Sequence, residues 1–195
     1  IENGFYYDFD LTQPISNSDL AGIEAEMRKL ASQNLAFKKE LWPANKARDY
    51  FKENGQIYKV ELVDDLLEKT PLAKRKALKV GMVWTGDIFL DLCRGGHIKN
   101  TKEIPLDGFH LTRVAGAYWK GKENRPMLTR IYGLTFKTKK GLEGYLKIIE
   151  EAEKRDYRKI GKEFDLFSFH EEAPGFVFWH QKGMLIREEL MKLYD

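Results

Sequence analysis

Thiols are almost absent from this chain of 195 residues: Cys93 stands alone. A single cysteine excludes an internal disulfide and fits a reducing compartment. Long apolar runs are missing too. No stretch approaches the roughly 18–20 residues that a membrane span needs, and no signal-peptide pattern precedes the first polar residues. A cytoplasmic protein without a membrane partner is therefore expected. Neither sign of charge is in large excess, with 33 basic against 30 acidic residues and a formal charge of +3. That balance permits a nucleic-acid partner without demanding one. There is no internal repeat and no low-complexity segment. What is present is ample core material, 43% hydrophobic and 13% aromatic, in a length that suits one ordinary domain plus extra elements. The chain begins at Ile1 without a methionine and stops at Asp195 inside a helix-like pattern. It reads as a piece of something longer.

Periodicity sets the expected elements. Gly4–Phe9 is an aromatic run that reads as a strand. Ser16, Asn17 and Ser18 offer caps for an amphipathic helix on Leu20, Ile23, Met27 and Leu30, ending near Asn34. Ala36–Trp42 reads as a strand, and Pro43 opens a second helix that Gly55 ends. Ile57–Val63 alternates in the manner of a half-buried strand, and 64–78 as a short helix and a loop. Val80–Trp84 and Ile88–Leu92 read as strands leading to Cys93. Phe109–Trp119 and Met127–Phe136 form a strand pair around a basic loop. Thr138 is placed to cap one long helix to about Ile160, ended by Gly161. Phe164–Phe169, an acidic Pro-Gly turn, Phe176–Trp179 and a helix from about Met184 follow. Strands and helices without regular βαβ alternation argue an α+β fold, a mixed or antiparallel sheet with flanking helices.

Two stretches carry candidate chemistry. In Asp91-Leu-Cys93-Arg-Gly-Gly-His97 a thiol and an imidazole stand four positions apart, with an acid just before them. That spacing supplies half of a zinc site, which needs three or four ligands. It equally describes a structural cysteine beside a loop histidine, or a nucleophile with its base. His110, His170 and His180 are not spaced as obvious partners. The second stretch sets Arg113, Lys120, Lys122, Arg125 and Arg130 around Tyr118 and Trp119, with Glu123 its only acid. Interleaved cations and rings suit a phosphate backbone with an unstacked end; a solvated hairpin with a charged loop has the same composition.

Six segments in order resemble bacterial-type threonyl-tRNA synthetases: Asn3–Asp8, Asp91–His97, Ala115–Trp119, Met127–Gly133, Lys154–Lys162 and the Glu-Glu-Ala-Pro-Gly turn at Glu171–Gly175. Alanyl-tRNA synthetases share the general pocket pattern but are not expected to share that turn. The resemblance implies an editing domain over 1–137, a linker helix over 138–161 and the start of a class II catalytic domain over 162–195. It implies hydrolysis of serine misattached to the threonine tRNA, because a methyl group lets a pocket discriminate by only ~1–3 kcal/mol. By motif, Cys93, His97, Asp91, Lys59 (in the expected Tyr-Lys-Val strand) and Tyr7 would form the editing pocket. Arg113, Tyr118, Trp119, Lys120, Arg125 and Arg130 would meet the tRNA acceptor end. No metal or cofactor is implied within these residues; ATP, magnesium and a catalytic zinc would serve the rest of the ligase, as would its homodimer contacts. The alternative is a catalytically silent tRNA-binding module or a structural fragment. Two departures stand out. The family's H-x-x-x-H pair lies before the first strand, upstream of Ile1, and the turn reads Arg-Gly-Gly-His where the usual form has proline before the histidine.

Overall fold

Two three-stranded antiparallel sheets, β1-β6-β5 and β2-β3-β4, organise the first of two compact units, residues 1–139; the second is 140–195. The computed structural model describes residues 3–193. In the first sheet, β1 (Gly4–Phe9) pairs with β6 (Met127–Thr135), which pairs in turn with β5 (Phe109–Tyr118). A bulge between Leu111 and Arg113 shifts the β5 register. Helix α1 (Leu20–Ser32) lies on this sheet, burying Leu20 with Leu111 and Ile131. A 3-10 turn over Asn17–Asp19 leads into the helix, capped at Ser16, whose backbone N–H donates to Asp19 Oδ2 over 2.7 Å, satisfying an otherwise orphan donor.

The second sheet consists of β2 (Phe37–Pro43), β3 (Lys79–Thr85) and β4 (Phe89–Leu92). Val80, Met82 and Leu90 alternate onto one face and meet Ala44, Ala47 and Phe51 of α2 (Ala44–Glu53) and Val63 of α3 (Ile57–Lys69). Phe51 is wholly enclosed, which contributes about 2–3 kcal/mol. A short helix α4 (Leu72–Arg75) leads into β3.

The α+β class expected from the sequence is the one observed. One element is of the other type: Ile57–Val63 is the start of α3, not a strand, so Lys59 sits on a helix. Seven residues alternating apolar and polar satisfy a period of two. Extending the window shows Val60, Val63 and Leu67 at helical spacing, and all three pack into the α2–sheet core. Gly55, at φ +67°, makes the tight turn that sends α3 back along α2.

In the second unit the expected single long helix is broken. Helix α5 (Lys139–Lys154) stops, and α6 (Tyr157–Glu163) restarts behind Asp156, whose carboxylate caps Arg158 N at 2.9 Å. Gly161 lies inside α6 and does not end it; the Phe167 ring occupies the space its Cβ would need. Strands β7 (Phe167–Ser168) and β8 (Phe178–Trp179) form a short antiparallel pair, and α7 (Gln181–Met191) starts three residues before the expected Met184.

Candidate functional site

Asp91 stands on β4 between Leu90 and Leu92, which face the helical core. Its carboxylate gathers three donors: Lys59 Nζ at 2.5 Å, Tyr7 Oη at 2.7 Å and its neighbour Leu92 N–H at 2.7 Å. One strand from each sheet, β1 and β4, and helix α3 therefore converge on one carboxylate. The Lys59 and Asp91 side chains are only 17% and 23% exposed, so water screens their attraction weakly. The Lys59 ammonium also lies 5.2 Å from the Phe89 ring centre and 5.7 Å from that of Tyr7, within cation–π reach of both. Burial, with the Asp91 carboxylate beside it, pushes the Tyr7 phenol far above its ordinary pKa. Tyr7 is thus a neutral hydrogen-bond donor at physiological pH.

The strand then leads into the cysteine turn. Cys93 N–H donates to Gly81 O at 2.9 Å, and a side chain on Gly81 would overlap the Cys93 carbonyl. This close approach explains the glycine. His97 Nε2 lies 2.7 Å from Cys93 Sγ, and the Gly95 N–H donates to the same sulfur at 3.4 Å. The His97 ring stacks on Phe37 of β2, with centres 5.8 Å apart. Residues 94–98 therefore cross from the end of β4 to the opposite edge strand, where Phe37 N–H meets Lys99 O. Gly95 and Gly96 take φ of +130° and +74°. Proline is held near −65°, so the proline of the usual turn cannot adopt the backbone that Gly96 has here.

The expected pocket residues thus fall into two neighbouring groups joined by β4: Tyr7–Lys59–Asp91 and Cys93–His97. Among the described residues no group of three or more His, Cys, Asp or Glu is placed to hold a metal ion.

The basic hairpin is arranged differently from a free cationic loop. Lys120 Nζ meets Glu61 Oε1 at 2.7 Å and Asp65 Oδ2 at 2.5 Å. Arg125 pairs with Glu61, to which the Trp119 indole N–H also donates at 3.0 Å. The loop is laid along α3 and its charge largely matched there. Arg130 makes a two-pronged pair with Asp8 at 2.6 and 2.8 Å and lies 4.1 Å over the Tyr6 ring. Arg113 lies 4.5 Å over the Tyr132 ring without a carboxylate partner among the described residues. Tyr118 is exposed.

Sequence inspection missed three things. Phe37 and Lys39, on alternate positions of β2, approach the cysteine turn: Lys39 Nζ stands 3.5 Å from where a Gly95 Cβ would be. The Lys38-Lys39 pair was the available signal. Glu61 and Asp65 as loop partners became visible only with α3 helical, four residues apart on one face. In the second unit, Asp165, His180, Ser168 and His170 form a polar chain with links of 2.7, 2.9 and 3.0 Å. It ties the start of α7 to β7.

Residues 80–132, from β3 through the cysteine turn into β6, match the threonyl and alanyl tRNA synthetase second additional domain. The chain is 48% identical over 191 residues to threonine–tRNA ligases of Bartonella bacilliformis, Chelativorans sp. and Brucella canis. Each alignment covers 98% of this chain and 28% of the relative. The chain spans about 28% of the length of the curated relatives it matches. The resemblance read from the six segments is thereby borne out.

Proposed function

We propose that this chain, homologous along 98% of its length to a segment of bacterial threonine–tRNA ligases, is the editing part of such a ligase and hydrolyses seryl-tRNA. The domain limits proposed are 1–137, 138–161 and 162–195, for the editing region, the linker and the beginning of the synthetic domain. The tRNA acceptor end is the proposed partner. ATP and magnesium would serve the attachment of threonine, in which none of the residues described above is assigned a part.

The observation that carries this reading is the convergence of Tyr7 and Lys59 on Asp91, two residues before a Cys93–His97 contact of 2.7 Å. Hydrolysis of an aminoacyl ester needs a base for water, donors for the developing oxyanion and a proton for the departing ribose oxygen. His97, exposed at the turn and oriented by Cys93 and Phe37, is the base. Water attacks the ester carbonyl carbon as its proton passes to the imidazole. The oxyanion is met by the Lys59 ammonium, which has protons to spare beyond the one directed at Asp91. Collapse expels the ribose oxygen, which takes the proton back from the imidazolium. Cys93 is a wall and hydrogen-bond partner in this scheme, not a nucleophile. Asp91 acts by holding Lys59 and Tyr7 in place.

The deciding experiment is deacylation of seryl-tRNA by this chain, with threonyl-tRNA and a Cys93→Ala, His97→Ala double variant as controls. Faster release of serine that the double variant abolishes supports the reading. Release no faster than without protein overturns it for this chain and leaves the acceptor-end binding module.

A further inference from the structure

The polar series Asp165, His180, Ser168 and His170 of the second unit has a direction, set by what each group can donate. As a carboxylate Asp165 only accepts, so the 2.7 Å contact places a proton on His180 Nδ1. Neutral His180 then presents a bare Nε2, and Ser168 Oγ, 2.9 Å away, donates to it. His170 Nε2–H completes the pattern by donating to the same oxygen over 3.0 Å. One hydroxyl thus directs its proton at a base that a carboxylate orients, and receives a donor on its own oxygen. Carboxylate, imidazole and hydroxyl in this order are the arrangement that makes a serine nucleophilic on unrelated folds.

Three elements bring these groups together. Asp165 lies just past α6, Ser168 on β7 and His180 at the N-cap of α7. His180 N–H donates to Leu166 O at 2.9 Å, and a side chain on Gly183 would overlap the same carbonyl, so α7 begins hard against the entry to β7. Strand alternation sends Ser168 to one face of the β7–β8 hairpin and Phe167 to the other, where it meets Trp179. Phe178 is the direct cross-strand partner of Ser168, and its ring centre stands 4.7 Å from that of His170. Ser168 is half-buried and Phe178 exposed. A flat apolar group can therefore lie against Phe178 with its attached carbonyl beside Ser168 Oγ.

We propose that Ser168 is a nucleophile, with His180 as its base, toward small activated esters that carry an aryl or other flat apolar group. Ser168 Oγ bonds to the ester carbonyl carbon as its proton passes to His180 Nε2. The carbon–oxygen bond to the departing phenol or alcohol breaks, and the leaving oxygen takes that proton from the imidazolium. Water, deprotonated by the same imidazole, then attacks the acyl group, releases the acid and restores the hydroxyl. Ser168 and His180 are the catalytic residues; Asp165 is a positioning residue that holds the His180 ring and its tautomer. The site shares no residue with the Tyr7–Lys59–Asp91 and Cys93–His97 groups, so its activity is read separately from seryl-tRNA deacylation.

The test is reaction of the whole chain with p-nitrophenyl acetate and with an aryl fluorophosphonate, the modified residue being located by mass spectrometry. Ser168 is expected to carry the adduct, formed roughly tenfold or more faster than on any other serine of the chain. Ser168→Ala removes that adduct. His180→Gln slows it roughly 10²–10⁴-fold, the range a general base contributes. Asp165→Asn is expected to slow it by roughly tenfold or more. The same variant should shift the ring nitrogen resonances of His180 away from the Nδ1–H tautomer expected in the parent. Asp165→Asn, a change on a side chain 77% exposed, carries the test should His180→Gln fold poorly. Labelling of Ser168 no faster than of the other serines would overturn the proposal and leave the series as a tie between α7 and β7. An acetyl group found on a histidine instead, or a rate unchanged in both His180→Gln and Asp165→Asn, would overturn it as well.

Discussion

Helix α3 carries two charge clusters of opposite sense within seven residues. At its start, Lys59 is a cation brought to an acid on β4; further along, Glu61 and Asp65 are acids that receive cations from the β5–β6 loop. The first cluster is enclosed, at 17% and 23% exposure, and is held by a neutral phenol as well. The second is more open, with its three side chains between 26% and 35% exposed. The same kind of residue pair is therefore expected to do different work. The enclosed pair fixes the position of a group suited to chemistry, while the open one fixes the path of a loop. A third pair, Arg48–Asp64 at 2.6 Å between α2 and α3, is more exposed again at 45% and 37%. One helix thus offers an internal scale on which burial is the variable.

The largest effect is expected at the enclosed end. Asp91→Ala leaves the Lys59 ammonium without its carboxylate and Tyr7 without its acceptor, a loss of roughly 3 kcal/mol of stability, measurable by urea unfolding. Asp91→Asn keeps an acceptor of the same shape but no charge, and is expected to recover about a third of that loss. Equal losses in the two variants would show that charge alone holds the cluster. A loss below about 1 kcal/mol for alanine would remove the distinction between the enclosed and open clusters. Both variants are also expected to slow seryl-tRNA deacylation at least tenfold, since Lys59 is no longer held in place.

Glu61→Gln is expected to cost about 1 kcal/mol, because a network of partly exposed pairs exceeds an isolated surface pair but is screened. Raising the salt from 0.05 to 0.5 M should weaken this cluster more than the Asp91 one. The pH dependence has a definite sign. Hydrogen bonds from Lys120 are the largest influence on both Glu61 and Asp65, and hold each below its ordinary value of 4.5 and 3.8 respectively. A depressed folded-state pKa means stability present above the ordinary value and lost as pH falls through the lowered one. The hold of the loop on α3 should therefore weaken as pH falls below these ordinary values and through the lowered ones. The Trp119 indole N–H, which donates to Glu61, reports this as a shift in its proton resonance. An indole signal that stays constant while Glu61 is titrated with acid would contradict the assignment.

How much of this was legible in the sequence follows from the range of the interactions. Short-range patterns were enough for α1, the β2–β3–β4 strands and the β5–β6 hairpin, because period and turn residues are local. They failed at Ile57–Val63, where seven residues fit either period and only the core beneath Val60, Val63 and Leu67 decides. They failed again at Asp156, where a capping carboxylate divides one continuous charge-rich pattern into two helices. The site residues Cys93 and His97 were visible as a motif, whereas Lys59 and Tyr7 entered only through the family resemblance. The hairpin loop looked cationic because its partners Glu61 and Asp65 are 55 to 64 positions away in the chain. Composition read along a chain cannot show neutralisation made across it.

The smallest effect belongs to Arg48–Asp64, and it is the one that calibrates the other two. A double-mutant cycle with Arg48→Ala and Asp64→Ala is expected to give a coupling near 0.3 kcal/mol, because two long exposed side chains lose rotamer freedom about equal to what their screened attraction returns. The same cycle at Lys59 and Asp91 should give a coupling several times larger, with Glu61 and Lys120 between them. If Arg48–Asp64 coupled as strongly as Lys59–Asp91, burial would not be what separates the clusters. The geometry shared by all three would then be the cause, since each has an N–O distance of 2.5 to 2.7 Å. With distance held this constant, a graded series can come only from the water each pair excludes.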